Sequence, residues 1–265
     1  THHALITWGD GVQTVLGESD PGMDQAADTF TASHAYAAAG TYTVAVTLYD
    51  DDGGTDVRTT TAVIQNLSGT VSVRDGVLQV FGTAGADQVA VNKQGNGQLK
   101  VHASFLTQGF VTFGLAGINK IVADLGAGDD TLSIAGNLSL PALIHGGAGN
   151  DHLNAGGGPA VLLGGAGNDF LGGGAGRGIL IGGLGQDRLV AGAKGDVLIG
   201  GCTNCDQNDN ALLAALVAWN NANSLTAGTA LMNAMLDVLD DGAVDWITGH
   251  AGRDLIFRGV GDVVN

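Results

Sequence analysis

The chain has 265 residues, 45% of them hydrophobic, which is enough for one large or two modest packed domains. A formal net charge of −16, with only ten lysines and arginines, argues against nucleic acid and anionic membrane surfaces and points to divalent cations as partners. Forty-six glycines against three prolines, concentrated between residues 126 and 201, exclude collagen and a plain linker, and no apolar run approaches a membrane span.

Glu18 is the single glutamate, so the acidity is aspartate. That short side chain suits tight turns and cation loops. From Ala4 to Leu67, short alternating segments such as Thr41 to Leu48, bounded by turns such as Asp50 to Gly54, predict an antiparallel β-sandwich over residues 1–67. Trp8-Gly9-Asp10-Gly11, His34-Ala35-Tyr36, Gly40-Thr41-Tyr42-Thr43-Val44 and Asp50-Asp51-Asp52-Gly53-Gly54 together resemble the PKD domain family. The resemblance implies an immunoglobulin-like sandwich used as an extracellular spacer or adhesion module. Members usually carry one or two strands ahead of the WGDG-like motif, whereas seven residues precede Trp8 here. The domain is therefore expected either to lack its first strands or to take one from another chain.

Residues 68–265 are read as a second domain. Alternation at Val77 to Phe81 and Gln98 to His102, with a degenerate repeat at Gly82 to Ala90 carrying Asp87, predicts wide first coils of a solenoid. A nine-residue repeat follows: Gly146 to Asn154 (GGAGNDHLN), Gly164 to Gly172 (GGAGNDFLG) and Gly182 to Val190 (GGLGQDRLV), with weaker copies between them. Its eighth place is always leucine, at Leu153, Leu162, Leu171, Leu180, Leu189 and Leu198. Glycines permit the turn, the aspartate points into it, and a short strand sends its central leucine inward, so two units make one coil of a parallel β-roll.

The repeat resembles the RTX, or haemolysin-type, calcium-binding family. That likeness implies several calcium ions between the turns of neighbouring coils, held by aspartate carboxylates and glycine carbonyls. On one edge it marks Asp130, Asp151, Asp169 and Asp187, with the turn glycines Gly147, Gly149, Gly165, Gly167, Gly183 and Gly185. On the other edge the same place holds Ala160, Gly178 and Asp196, so that edge is expected to be largely metal-free, Asp196 being its retained candidate. Asp87, Asp245 and Asp254 are further candidates.

Strands after the degenerate turns are apolar on both faces (Val161 and Leu163, Ile179 and Ile181, Val197 and Ile199) and must be covered. Residues 208–239 turn to helical periodicity, with stripes Leu212, Leu213, Leu216, Val217 and Leu231, Met232, Met235, Leu236, Leu239. They predict a helical hairpin, capped by Asp209 or Asn210 and broken at Asn221 to Ser224, that covers this sheet; a second subunit is the alternative cover. Turns resume in a C-terminal cap, residues 240–265, arranged as in secreted bacterial RTX proteins that leave by type I secretion. Cys202 and Cys205 form one CTNC, read as a small loop disulfide.

HExxH and GxSxG are absent, and the lone glutamate removes the usual acid pair, so no enzyme is expected. The expected function is a calcium-stabilised structural or adhesion module at the cell surface or outside the cell, with copies of itself or other surface proteins as partners. The alternatives are a self-assembling filament or surface-layer subunit, and the secretion and folding region of a larger RTX enzyme or toxin.

Overall fold

A computed structural model describes residues 3–9, 11–17, 23–24, 29–30, 32–33, 40–49, 52–64, 67–222, 225–250 and 252–265. Asp10, His34 to Tyr36, Asp50 and Asp51, which belong to three of the four PKD-like motifs, lie outside the described residues, as do Asn223 and Ser224. The chain divides into two compact units, Thr1–Leu67 and Ser68–Asn265.

In the first unit, strands Gln13–Gly17, His3–Thr7, Gly40–Tyr49 and Thr55–Ile64 lie side by side in that order as one antiparallel sheet. A two-residue pairing joins Met23–Asp24 to Thr29–Phe30. Alternation buries Ala4, Ile6, Leu16 and Val44, with Trp8 and Val46 against them. The Trp8 indole donates to Thr14 Oγ1 (2.9 Å). Among the described residues the sheet has one four-stranded layer, with edges at Gln13–Gly17 and Thr55–Ile64.

The second unit is a parallel roll of two facing sheets. One sheet runs through Gln88–Lys93, Thr131–Ile134, His152–Asn154, Phe170–Gly172, Arg188–Val190, Trp246–Thr248 and Val263–Val264. The other runs through Val77–Phe81, Lys120–Asp124, Ala142–Ala148, Ala160–Ala166, Gly178–Leu184, Val197–Ile199 and Leu255–Phe257. Leu153, Leu171, Leu189 and Ile247 from the first meet Ile144, Leu162, Leu180 and Leu198 from the second in a thin core, all fully buried. Register is set by the repeat: Leu153 lies beside Leu171 and Leu171 beside Leu189.

The first coils belong to the same roll, Val77–Phe81 pairing parallel with Lys120–Asp124 and Gln88–Lys93 with Thr131–Ile134, but antiparallel strands are added to them. Thr70–Arg74 returns antiparallel onto Val77–Phe81, and Gln88–Lys93, Gln98–Ala103 and Phe110–Gly114 form an antiparallel meander. The cause is local. Asp75 and Gly76, the two-residue loop between Arg74 and Val77, have φ of +50° and +76°, the turn that sends a strand straight back.

The doubly apolar sheet is covered by two helices, α1 (Asp209–Asn221) and α2 (Leu225–Met235). Leu143, Val161, Leu163, Ile179, Ile181, Val197 and Ile199 pack against Leu212, Ala215, Leu216, Trp219, Met232 and Leu236. The buried stripe of α1 is thus rotated from the expected one: Ala215 and Trp219 face in, while Val217 is 59% exposed. Leu239 is also exposed and lies in a short strand, Val238–Leu239, paired with Cys202–Thr203. The helix cap is Asn208, whose side chain accepts from the Ala211 amide (3.1 Å), in place of Asp209 or Asn210. Asp209 instead meets His145 Nε2 (3.0 Å). Cys202 and Cys205 are free thiols, correcting the expected disulfide.

Candidate metal centre

The turns of one edge are built by glycine. Gly147, Gly149, Gly165, Gly167, Gly183 and Gly185 have φ between +110° and +132°, and a Cβ on any of them would fall on a glycine carbonyl oxygen of the preceding coil. Only glycine allows the turns to stack this closely. The first glycine of each repeat has another constraint: a Cβ on Gly146, Gly164 or Gly182 would strike Oδ2 of Asp151, Asp169 or Asp187. The same small space is flanked from the next coil by the carbonyl oxygens of Gly164, Gly182 and Gly200.

The aspartates form a continuous ladder. The amide of Asp87 donates to Oδ1 of Asp130 (2.6 Å), Asp130 to Asp151 (2.8 Å), Asp151 to Asp169 (2.7 Å), and Asp169 to Asp187 (2.8 Å). It continues across the helical insertion, Asp187 to Asp245 (2.8 Å) and Asp245 to Asp262 (3.1 Å). Each Oδ1 is therefore committed to the neighbouring coil. Oδ2 of Asp130, Asp151, Asp169 and Asp187 is buried and has no hydrogen-bond partner.

A buried anionic oxygen with no donor is costly, so the site favours either a proton or a cation. Burial is the main cause that raises these carboxyls above the usual range: Asp130 to about 6, Asp151 also upward, Asp169 to about 7 and Asp187 to about 8. Neighbouring carboxylates push the same way, and the backbone amides oppose them. Asp245 is raised to about 6, again chiefly by burial. Unpartnered carboxylate oxygens that face glycine carbonyls across neighbouring turns are a set of hard donors, which suits calcium better than soft metals.

A family model of the RTX calcium-binding nonapeptide repeat (4 copies) matches residues 145–180, 181–201 and 241–263. The C-terminal region carries RTX calcium-binding repeats. Such repeats bind calcium ions, several per repeat region. In this chain Asp130, Asp151, Asp169, Asp187 and Asp245, with carbonyls of the glycine turns, would hold the ions, which supply positive charge between stacked carboxylates. No curated protein and no solved structure matches the chain.

Three other candidates sit differently. Asp87 heads the ladder, but its Oδ2 accepts from the Thr83 amide (2.6 Å) and hydroxyl (3.0 Å), and its Oδ1 accepts from Ser104 Oγ (3.1 Å). Asp196 and Asp254 stack on the opposite edge. Oδ1 of Asp196 accepts from Gly178 N (2.5 Å) and Oδ2 from Gly192 N (2.6 Å). Oδ1 of Asp254 accepts from Asp196 N (2.9 Å) and Oδ2 from His250 N (2.8 Å). Both oxygens of each are engaged, so these three brace turns instead of offering an unpartnered ligand. Asp262 ends the ladder, its Oδ2 accepting from Gly259 N (2.6 Å), and no glycine pair precedes it to mark it in the sequence. The readable signal was Gly261-Asp262 directly before Val263-Val264. A second, exposed ladder runs one residue earlier, with the amides of Asn150, Asn168 and Gln186 donating to side-chain oxygens of Asp129, Asn150 and Asn168 (2.7 to 2.8 Å).

Proposed function

We propose that this chain is a non-catalytic, calcium-stabilised structural or adhesion module of a secreted bacterial protein, working outside the cell. The observation that carries this reading is the column of buried, unpartnered Oδ2 atoms on Asp130, Asp151, Asp169 and Asp187. Without a cation the stacked charges oppose folding; with calcium, binding free energy becomes folding free energy. Proteins with such repeats are typically secreted, and no helix among the described residues is long and apolar enough to cross a membrane. The first unit serves as a PKD-like spacer, supported by the Trp8, Gly40 to Val44 and Gly53-Gly54 motifs and by its antiparallel sheet.

Far-UV circular dichroism tests the mechanism. Excess EGTA should remove most of the β signal of residues 68–265, and calcium should restore it; identical spectra in both would end the reading. A self-assembling subunit is the second reading, supported by the two edges of the first unit's sheet, where Val15 is 62% and Val57 54% exposed. Filaments in electron micrographs of purified protein would favour it. A folding region of a larger RTX enzyme or toxin is the third, supported by the same repeats.

A further inference from the structure

In each intact repeat the first glycine lies beneath its own aspartate, six places being enough to close the turn. Gly200 bears the same relation to Asp245 across the whole helical insertion: a Cβ on Gly200 would strike Asp245 Oδ2 and approach Asp262 Oδ2. Gly200 also takes the next-coil place. Its carbonyl faces the space beneath Asp187 Oδ2, and it accepts from the Gly183 amide (3.1 Å), which Gly201 O also reaches (3.2 Å). One nonapeptide turn has therefore been cut after Gly201 and is completed in space where the chain returns at Asp241.

The returning segment brings an extra acid. The Gly149 and Gly167 amides donate to the Ala166 and Leu184 carbonyls of the next coil (2.8 Å each), but Gly185 donates to Asp241 Oδ2 (2.8 Å). A carboxylate stands where the intact turns use a carbonyl. Asp187, 0% exposed, directs its unpartnered Oδ2 toward this join.

We propose that the split turn is a composite cation site, closed from Gly200 on one side of the helical insertion and from Asp245 on the other, while Asp241, with Oδ2 on the Gly185 amide and Oδ1 on the Ala243 amide, braces the join. Calcium bound there ties the two ends of the insertion together and seats the α1–α2 hairpin on the roll. The inference rests on the calcium reading above and adds a coupling between one site and one element. An intact turn needs metal to order a short loop; the split turn needs it to join two segments, a larger loss of chain entropy.

The test compares Asp245→Asn with Asp151→Asn by hydrogen exchange of the full chain, with calcium itself as the probe and calcium stoichiometry measured alongside. Asparagine keeps an Oδ1 for the Asp187 amide and removes the charge, so the ladder survives. In the parent, calcium should protect both 142–190 and 209–235. Asp245→Asn should bind fewer ions and leave 209–235 unprotected at saturating calcium while 142–190 stays protected. Asp151→Asn should keep the hairpin protected. If both variants protect the hairpin equally, or if the parent hairpin is protected in EGTA, the composite site is overturned while the ladder reading stands. If calcium protects neither region of the parent, the calcium reading itself fails.

Discussion

At the residue scale, each ladder aspartate has two oxygens with different duties. Oδ1 holds the neighbouring coil through an amide, and Oδ2 is left buried without a donor. Asp169→Asn separates them, because the amide oxygen can still accept from Asp151 N. The sign of its effect should depend on metal. In EGTA the variant is expected to be more stable than the parent, since a buried charge is gone; in calcium it should be less stable, with the calcium midpoint raised at least about tenfold. Residual β circular dichroism in EGTA and denaturant melts in calcium check the two signs. A loss of stability in EGTA would mean that the carboxylate is already compensated within the protein. Asp196 and Asp254 differ from these residues in a local way: their Oδ2 atoms accept from amides four residues earlier in their own turns, Gly192 and His250, a contact that the nine-residue pattern does not record.

At the element scale, the helical hairpin is what makes the doubly apolar sheet tolerable. Trp219 is central to it: its ring is buried, its Nε1 donates to Gly195 O (2.9 Å), and the Arg177 guanidinium donates to the Trp219 carbonyl (2.8 Å). Trp219→Ala should cost about 3 to 5 kcal/mol of stability. It should also increase binding of a hydrophobic dye as Ile179, Ile181 and Val197 lose their cover. Val217→Asp, on the exposed face, should change stability by less than about 0.5 kcal/mol. Paired melts of the two variants check this assignment, and equal losses would place the wrong face inward. The residues 212, 213, 216, 217 and the residues 212, 215, 216, 219 both satisfy helical spacing. The choice fell to the second set because Ala215 is small enough for close approach and Trp219 reaches a carbonyl of the roll.

For the whole molecule, raised carboxyl pKa values become a pH dependence with a definite sign. An aspartate that titrates near 3.9 when unfolded, but at about 6 to 8 in the metal-free roll, binds more protons folded than unfolded within that window. Its stabilising contribution is complete below the unfolded value and is lost as pH rises through the folded one. Metal-free roll should therefore be more stable near pH 5 than at pH 8. Calcium affinity should rise over the same range, with protons released on binding near neutrality and none above about pH 9. Calorimetry in buffers of different ionisation enthalpy measures that release; binding without proton release at pH 7 would contradict it.

The sequence alone determined the parallel roll, its eighteen-residue coil and the edge that carries the aspartates, because a strict repeat imposes its own geometry wherever glycine and leucine keep phase. Asp151, Asp169 and Asp187 were legible for that reason. The sequence offered Asp245 as a candidate without an edge, and only the tertiary structure placed it on this ladder and carried the ladder on to Asp262, since a helical insertion separates Gly200 from its partner and removes all regular spacing. It also decided which carboxylates are left without donors. That depends on the path of each turn's own backbone: where it brings the amide of Thr83, Gly192 or His250 onto the aspartate four residues later, Oδ2 gains a donor, and residue spacing alone does not record that path.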